Sequence, residues 1–202
     1  RLAPVAAPPR RATGEPRAVR DELGIGDRPL LLSVGRLHPQ KDYDTLIAAA
    51  ARWADLDPQP VVAIAGDGPE RERLQGLIDT AKADVRLLGH RTDVGDLLAA
   101  ADLSLVTSQW EARQLFAQET LQAGVPLVTT RTGGIPELVG DAGLYFEVGD
   151  VDALDRTVRE LLADGAKLAD YRLASLARAA TWPDELQMMD ALDALYLELT
   201  GR

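Results

Sequence analysis

The chain has 202 residues, 46% of them hydrophobic and 27% charged, with no cysteine and a net charge of −10. That length supports one α/β domain with a sizeable core; the missing cysteines exclude disulfides and thiolate metal sites, and the acidic balance argues against a nucleic-acid partner, which calls for a basic surface. No apolar run approaches the ~18 residues of a membrane span, and residues 1–14 lack the apolar stretch of a secretion signal, so the cytoplasm is the expected compartment.

Residues 1–14 scatter Pro4, Pro8, Pro9 and Gly14 among Ala and Arg without periodicity and read as a linker. From residue 15 to 202 the pattern is that of one domain. A short helix is expected between Pro16, suited to a first turn, and Gly24, suited to the position past the end. The run PLLLSVG from Pro29 to Gly35 predicts a strand buried on both faces. A helix follows over Asp42 to Leu56, with Tyr43, Leu46, Ile47, Ala50 and Trp53 at helical spacing. PVVAIAG from Pro60 to Gly66 is a second buried strand, and Pro69 to Ala83 an amphipathic helix with Leu74, Leu77 and Ile78 inward. Then come a strand over Val85 to Leu88, a helix over Val94 to Ala101, a strand over Leu103 to Thr107, a helix over Phe116 to Ala123 and a strand over Pro126 to Thr130. A helical turn at Ile135 to Val139 precedes a last strand over Gly143 to Val148. Beyond Asp150 three helices are expected, near 151–164, 166–180 and 184–200. Strand–helix alternation with apolar strands predicts a doubly wound, Rossmann-like parallel sheet of about six strands.

Ligands of such a sheet sit at the carboxyl ends of its strands, so the following loops carry the functional signal. In the first, Gly35-Arg36-Leu37-His38-Pro39-Gln40-Lys41, two cations five positions apart suit a diphosphate, Arg as a fork of donors and Lys as a point charge; two solvated loop cations are the plain alternative. Gly66-Asp67-Gly68-Pro69 is a tight turn in which Asp67 caps the next helix, forms the turn or orients a basic residue. Glu111 and Glu119 stand eight positions apart, the first placed in a loop and the second on a helix. A carboxylate accepts two hydroxyl hydrogen bonds and so suits a sugar diol, although spaced glutamates on an acidic chain also serve as solvated surface. The amides of Gln114 and Leu115, at the helix start, are free to donate to phosphate. Thr132-Gly133-Gly134-Ile135-Pro136-Glu137 places a glycine pair before a short helix. Glycine directly after several strands points to close backbone approach by something bound. His38 and His90 are the chain's two histidines, and two histidines alone do not make a metal site.

Taken in order, VGRLHPQKDYDTLIAA, AGDGPERERL, VRLLGHRTDVGDLLAAADLSLVTS and WEARQLFAQETLQAGVPLVTTRTGGIPELVGDAGLYFEVGDVDAL resemble the C-terminal domain of the GT-B retaining glycosyltransferases of family 4, the glycosyl transferases group 1. The resemblance runs from about Leu30 to Leu199, and TWPDELQMMDALDALY looks like that family's closing helix. It implies one half of a GT-B fold that binds a nucleoside-diphosphate sugar of UDP, GDP or ADP type, with no cofactor and no metal. Arg36 and Lys41 would bind the donor diphosphate and offset charge on the leaving group. Glu119 would hold the ribose hydroxyls and Glu111 those of the transferred sugar. Amides around Leu115 and Phe116 would meet the phosphates, and backbone near His90 the base; Gly35, Asp67, Arg113 and Gln114 complete the implied donor site.

The family's Gly-Phe-Gly after the first glutamate is replaced here by Ala112-Arg113-Gln114, so Arg113 is expected to enter the donor site or brace Glu111. The resemblance also implies a missing N-terminal domain that supplies the acceptor site, which leaves the isolated domain inactive. Without that domain, apolar surface around Leu186, Met189 or Leu192 is expected to favour self-association. Trp53 and Trp182 are assigned to the core, Trp110 to the core or to the edge of the sugar pocket. Two other functional classes fit the architecture: a sugar-nucleotide epimerase of the same fold and a non-catalytic partner-binding module. A dinucleotide oxidoreductase is disfavoured, since no G-x-G-x-x-G follows the first strand.

Overall fold

A computed structural model of the protein describes residues 9–183, 187, 189, 193 and 196–198. Strands form where the apolar runs lie: β1 (Leu30–Val34), β2 (Val61–Ala65), β3 (Val85–Gly89), β4 (Leu103–Val106), β5 (Leu127–Thr130) and β6 (Gly143–Phe146). They join in one sheet of order β3-β2-β1-β4-β5-β6, every pair parallel. α1 (Pro16–Glu22) precedes β1, and between successive strands run α2 (Tyr43–Arg52), α3 (Arg71–Ala81), α4 (Val94–Ala100), α5 (Leu115–Gln122) and α6 (Ile135–Val139). Two longer helices, α7 (Val151–Ala163) and α8 (Gly165–Ala179), close the described part. This is the expected doubly wound α/β sheet of six strands.

Helices cover both faces, and each strand divides its side chains between two cores as the two-residue period requires. In β1, Leu30 and Leu32 enter one core with Val19 of α1, Leu97 of α4 and Phe116 of α5. Leu31 enters the other with Leu46 of α2, Leu74 of α3 and Val158 of α7. All three leucines are fully buried. Trp53, in a single 3-10 turn that prolongs α2, is buried as expected and donates from Nε1 to Asp155 Oδ1 at 2.9 Å. Trp182 is half-buried beside the first core. Leu77 faces inward as expected, packed half-buried against the second core beside the buried Leu74 and Ile78 of α3. Of the helix expected over 184–200, the described residues 187, 189, 193 and 196–198 are helical, with Met189 exposed, while Leu186 and Leu192 lie outside the described residues.

Residues 9–14 form neither helix nor strand, yet they dock closely. The Thr13 and Gly14 amides donate to Asp96 Oδ1 at 2.6 and 2.8 Å, and Thr13 Oγ1 donates to Oδ2 at 3.1 Å. The Arg11 carbonyl lies so near α4 that a Cβ on Gly95 would come within 2.4 Å of it.

The Gly14 and Thr13 amides, in that order, hold the Asp96 carboxyl below its ordinary pKa of 3.8. A lowered folded pKa makes this contact fully stabilising above pH 3.8 and lost as the pH falls through the lower folded value. The Thr13 and Gly14 amide resonances are therefore expected to titrate together with a midpoint below 3.8; a midpoint at or above it would show that the carboxylate does not accept these bonds.

Candidate active site

Strand order reverses between β1 and β4, and a doubly wound sheet opens its ligand crevice at that switch point. The loops that follow these two strands bring Lys41 and Glu111 together. Lys41 Nζ pairs with Glu111 Oε1 at 2.6 Å, and Gln114 Nε2 donates to the same oxygen at 3.1 Å. The two charged side chains are 16% and 8% exposed, so neither is compensated chiefly by water. Beside them Tyr43 donates its hydroxyl to the Gly35 carbonyl at 3.3 Å. Burial, the largest influence, pushes that hydroxyl far above its ordinary value of 10.0, which keeps it a proton donor.

Neighbouring loops fix this geometry. A Cβ on Gly66, whose φ is +150°, would lie 1.9 Å from the Gly35 carbonyl oxygen, and one on Gly68 2.3 Å from that of Leu37. On the other side of the switch point, a Cβ on Gly133 would meet the Glu111 carbonyl oxygen at 1.8 Å, and one on Gly134 that of Ala112 at 2.2 Å. The Gly134 amide donates to the Glu111 carbonyl at 3.0 Å. Thr130 and Thr132 hydroxyls donate to the carbonyls of Ser108 and Gln109 at 2.7 and 2.9 Å. The two central loops are also tied to each other: Gln109 N donates to the Gln40 carbonyl, and Gln40 Nε2 to that of Trp110. The close backbone approach expected at these glycines is made here by the adjacent loop. Gly35 follows the same rule, its would-be Cβ meeting Tyr43 Oη at 2.9 Å and Lys41 Cε at 3.1 Å.

The remaining expected residues are placed less uniformly. Arg36 is exposed and has no ion pair among the described residues. Asp67 forms its turn, accepting from the Gly68 amide at 2.8 Å; it neither caps α3 nor orients a cation. His90 is exposed in the loop after β3. His38 Nδ1 accepts from the Gln40 amide. Glu111 lies in the loop and Glu119 on α5, as expected, both about 8% exposed. The Phe116 amide is not free, because Gln114 Oε1 caps it at 3.4 Å. Leu115 opens α5 and is exposed. Arg113 does not brace Glu111, a role taken by Lys41 and Gln114; its Nε is buried without a partner. Trp110 is 61% exposed, which removes it from the core.

Comparison with known proteins assigns the class. The profile of the family described as Glycosyl transferases group 1 matches residues 17–176. The chain belongs to that family. Glycogen synthase of Mycobacterium tuberculosis is 37% identical over 157 residues, which cover 73% of this group 1 chain and 37% of the relative. The GDP-mannose-dependent alpha-(1-6)-phosphatidylinositol monomannoside mannosyltransferase of Mycolicibacterium smegmatis is 32% identical over 169 residues, 77% of this chain and 44% of its own. Among solved structures, HepE of Anabaena in complex with UDP and glucose superposes with a TM-score of 0.82 at 26% identity, covering 90% of this chain and 51% of HepE. The chain therefore spans about half the length, or less, of the proteins it matches.

Two features of the group 1 site escaped the sequence reading. Gln114, expected to offer an amide, uses its side chain both to hold Glu111 and to cap α5. Arg10, assigned to the linker, reaches Glu119: Arg10 Nε donates to Glu119 Oε1 at 2.9 Å. Two residues 109 positions apart leave no local pattern from which their contact can be read.

Removing one partner of a buried ion pair leaves the other charge uncompensated. Lys41→Met is expected to lower the unfolding free energy by about 3 kcal/mol, a fall in Tm of roughly 6–12 °C for a domain of this size. Adding Glu111→Gln to that variant should recover most of the loss in a thermal unfolding series; no recovery would show that the cost lies elsewhere than in the stranded carboxylate.

Proposed function

We propose that this chain is the donor-binding, C-terminal half of a GT-B glycosyltransferase that moves a hexose from a nucleoside-diphosphate sugar to an acceptor with retention of configuration. The observation that carries the reading is the Lys41–Glu111 pair across the switch point of the sheet, next to the start of α5. Such a pair exchanges partners when a donor arrives. Lys41 passes to the diphosphate, joined by exposed Arg36, and Glu111 passes to hydroxyls of the sugar. Each charge keeps a partner throughout, so entry of the donor does not strand either one.

In this reading the amides of Gln114 and Leu115 meet the phosphates at the start of α5, with the already capped Phe116 amide a weaker donor. Glu119, one turn further, accepts from the ribose hydroxyls, and backbone beside His90 meets the base. Gly35 and Asp67 shape the floor through backbone contacts. Arg113, with its unpartnered Nε, turns toward the donor. As the glycosyl–phosphate bond breaks, negative charge grows on the departing diphosphate, where Lys41 and Arg36 are already fixed. The acceptor site belongs to the part of the protein that pairs with this one, so the whole reaction requires both. HepE supports a uridine nucleotide and the mannosyltransferase a guanosine one; the base is left to experiment.

Calorimetric titration with UDP, GDP and ADP tests the reading. One diphosphate is expected to bind, with affinity falling at least about tenfold in Lys41→Ala and in Glu119→Ala, the loss of a charge-assisted contact. Binding that survives both substitutions would place the nucleotide elsewhere. Failure of all three nucleotides to bind would favour a partner-binding module on the same fold.

A further inference from the structure

Glu119 is already occupied. Its side chain is 9% exposed, and its Oε1 accepts from Arg10 Nε at 2.9 Å, the one ion pair it makes among the described residues. The arginine side chain remains 49% exposed, so one flank of the pair is open to solvent and to an incoming ligand.

Arg10 reaches this place because its backbone is docked. Immediately after it, the Arg11 carbonyl lies against the start of α4, over the position that Gly95 keeps free of a side chain. Two residues later the Thr13 and Gly14 amides are bound by Asp96. Residues 10–14 thus run from α5 to α4, the helices that follow β4 and β3. Its far end is held on α4, the helix that directly follows the loop carrying His90.

We propose that residues 10–14 are a strap over the nucleotide side of the site, with Arg10 standing in for the ribose at Glu119 until a nucleotide displaces it. The inference rests on the reading of Glu119 as the ribose-holding carboxylate. A guanidinium and a vicinal diol make the same demand on a carboxylate, both being donors. A diol that engages both oxygens needs Oε1, which Arg10 holds. The exchange is reversible because a half-exposed ion pair is weak, and the Asp96 anchor holds the strap's far end while the arginine swings away. Arg10 thereby keeps the buried glutamate neutralised until a nucleotide arrives, and binding is coupled to movement of the segment that precedes the sheet.

The test compares UDP, GDP and ADP affinities of the wild-type protein, Arg10→Ala and Asp96→Ala by calorimetry. Arg10→Ala removes the competitor and is expected to bind the preferred nucleotide roughly three- to tenfold more tightly. Asp96→Ala frees the strap without touching the residue that contacts Glu119 and should shift affinity in the same direction. In the Glu119→Ala background, Arg10→Ala should change nothing. Binding by Arg10→Ala but not by the wild type would support the strap most strongly. Equal or weaker binding by Arg10→Ala, with the wild type binding normally, would overturn the strap and leave the donor site standing. Binding by none of the proteins would overturn the donor-site reading and the strap with it.

Discussion

Because helices cover both faces of the sheet, its four inner strands carry no charged residue, and polar chemistry is displaced to their ends. β1, β2, β4 and β5 read LLLSV, VVAIA, LSLV and LVTT. A charge within them would have to leave water without a partner, which costs far more than a domain of marginal stability tolerates. The carboxyl ends are where a right-handed βαβ chain leaves the sheet to start a helix, so loop residues and helix N-termini collect there. Lys41 and Glu111 lie in the loops at two such exits, and Glu119 on α5, the helix that follows the second. Their proximity is a product of the winding of the chain, since 70 positions separate the first two.

The same two-sided burial is why the fold was legible. Continuous apolar runs ending in glycine located the strands to within a residue or two, and Pro16 and Gly24 bracketed α1. Helical spacing gave Leu74, Leu77 and Ile78 their shared direction but not their depth, since Leu77 stays half-buried against the core. For the site, residue types and spacing nominated Lys41, Glu111 and Glu119 but could not say which of them touch. Arg113 was expected either to enter the donor site or to brace Glu111, and the folded chain gives that carboxylate to Lys41 and Gln114. The contact between Arg10 and Glu119 was invisible for the reason that defeats single-sequence reading in general: it is made by tertiary packing between segments with no shared period.

The Lys41–Glu111 ion pair also has a kinetic meaning. A lysine kept beside a carboxylate is already dehydrated and held in one rotamer before any ligand arrives. Tyr43, with its hydroxyl kept protonated by burial, and the Gln114 side chain add fixed dipoles around the pair. Little of the binding free energy of an anionic ligand then goes into arranging these groups, which is the economy that preorganised electrostatic sites share.

The glycines between the loops have a consequence for how such a site changes over time. At Gly66 against Gly35, and at Gly133 against Glu111, main chain rests on main chain with no side chain between. Each loop is thereby the wall of the next, and an inserted residue in one would be felt around the rim up to the switch point. Side chains outside these main-chain contacts are under no such constraint. A changed side chain at this mouth can therefore be absorbed where a changed segment length cannot, so the frame keeps its dimensions while its lining varies.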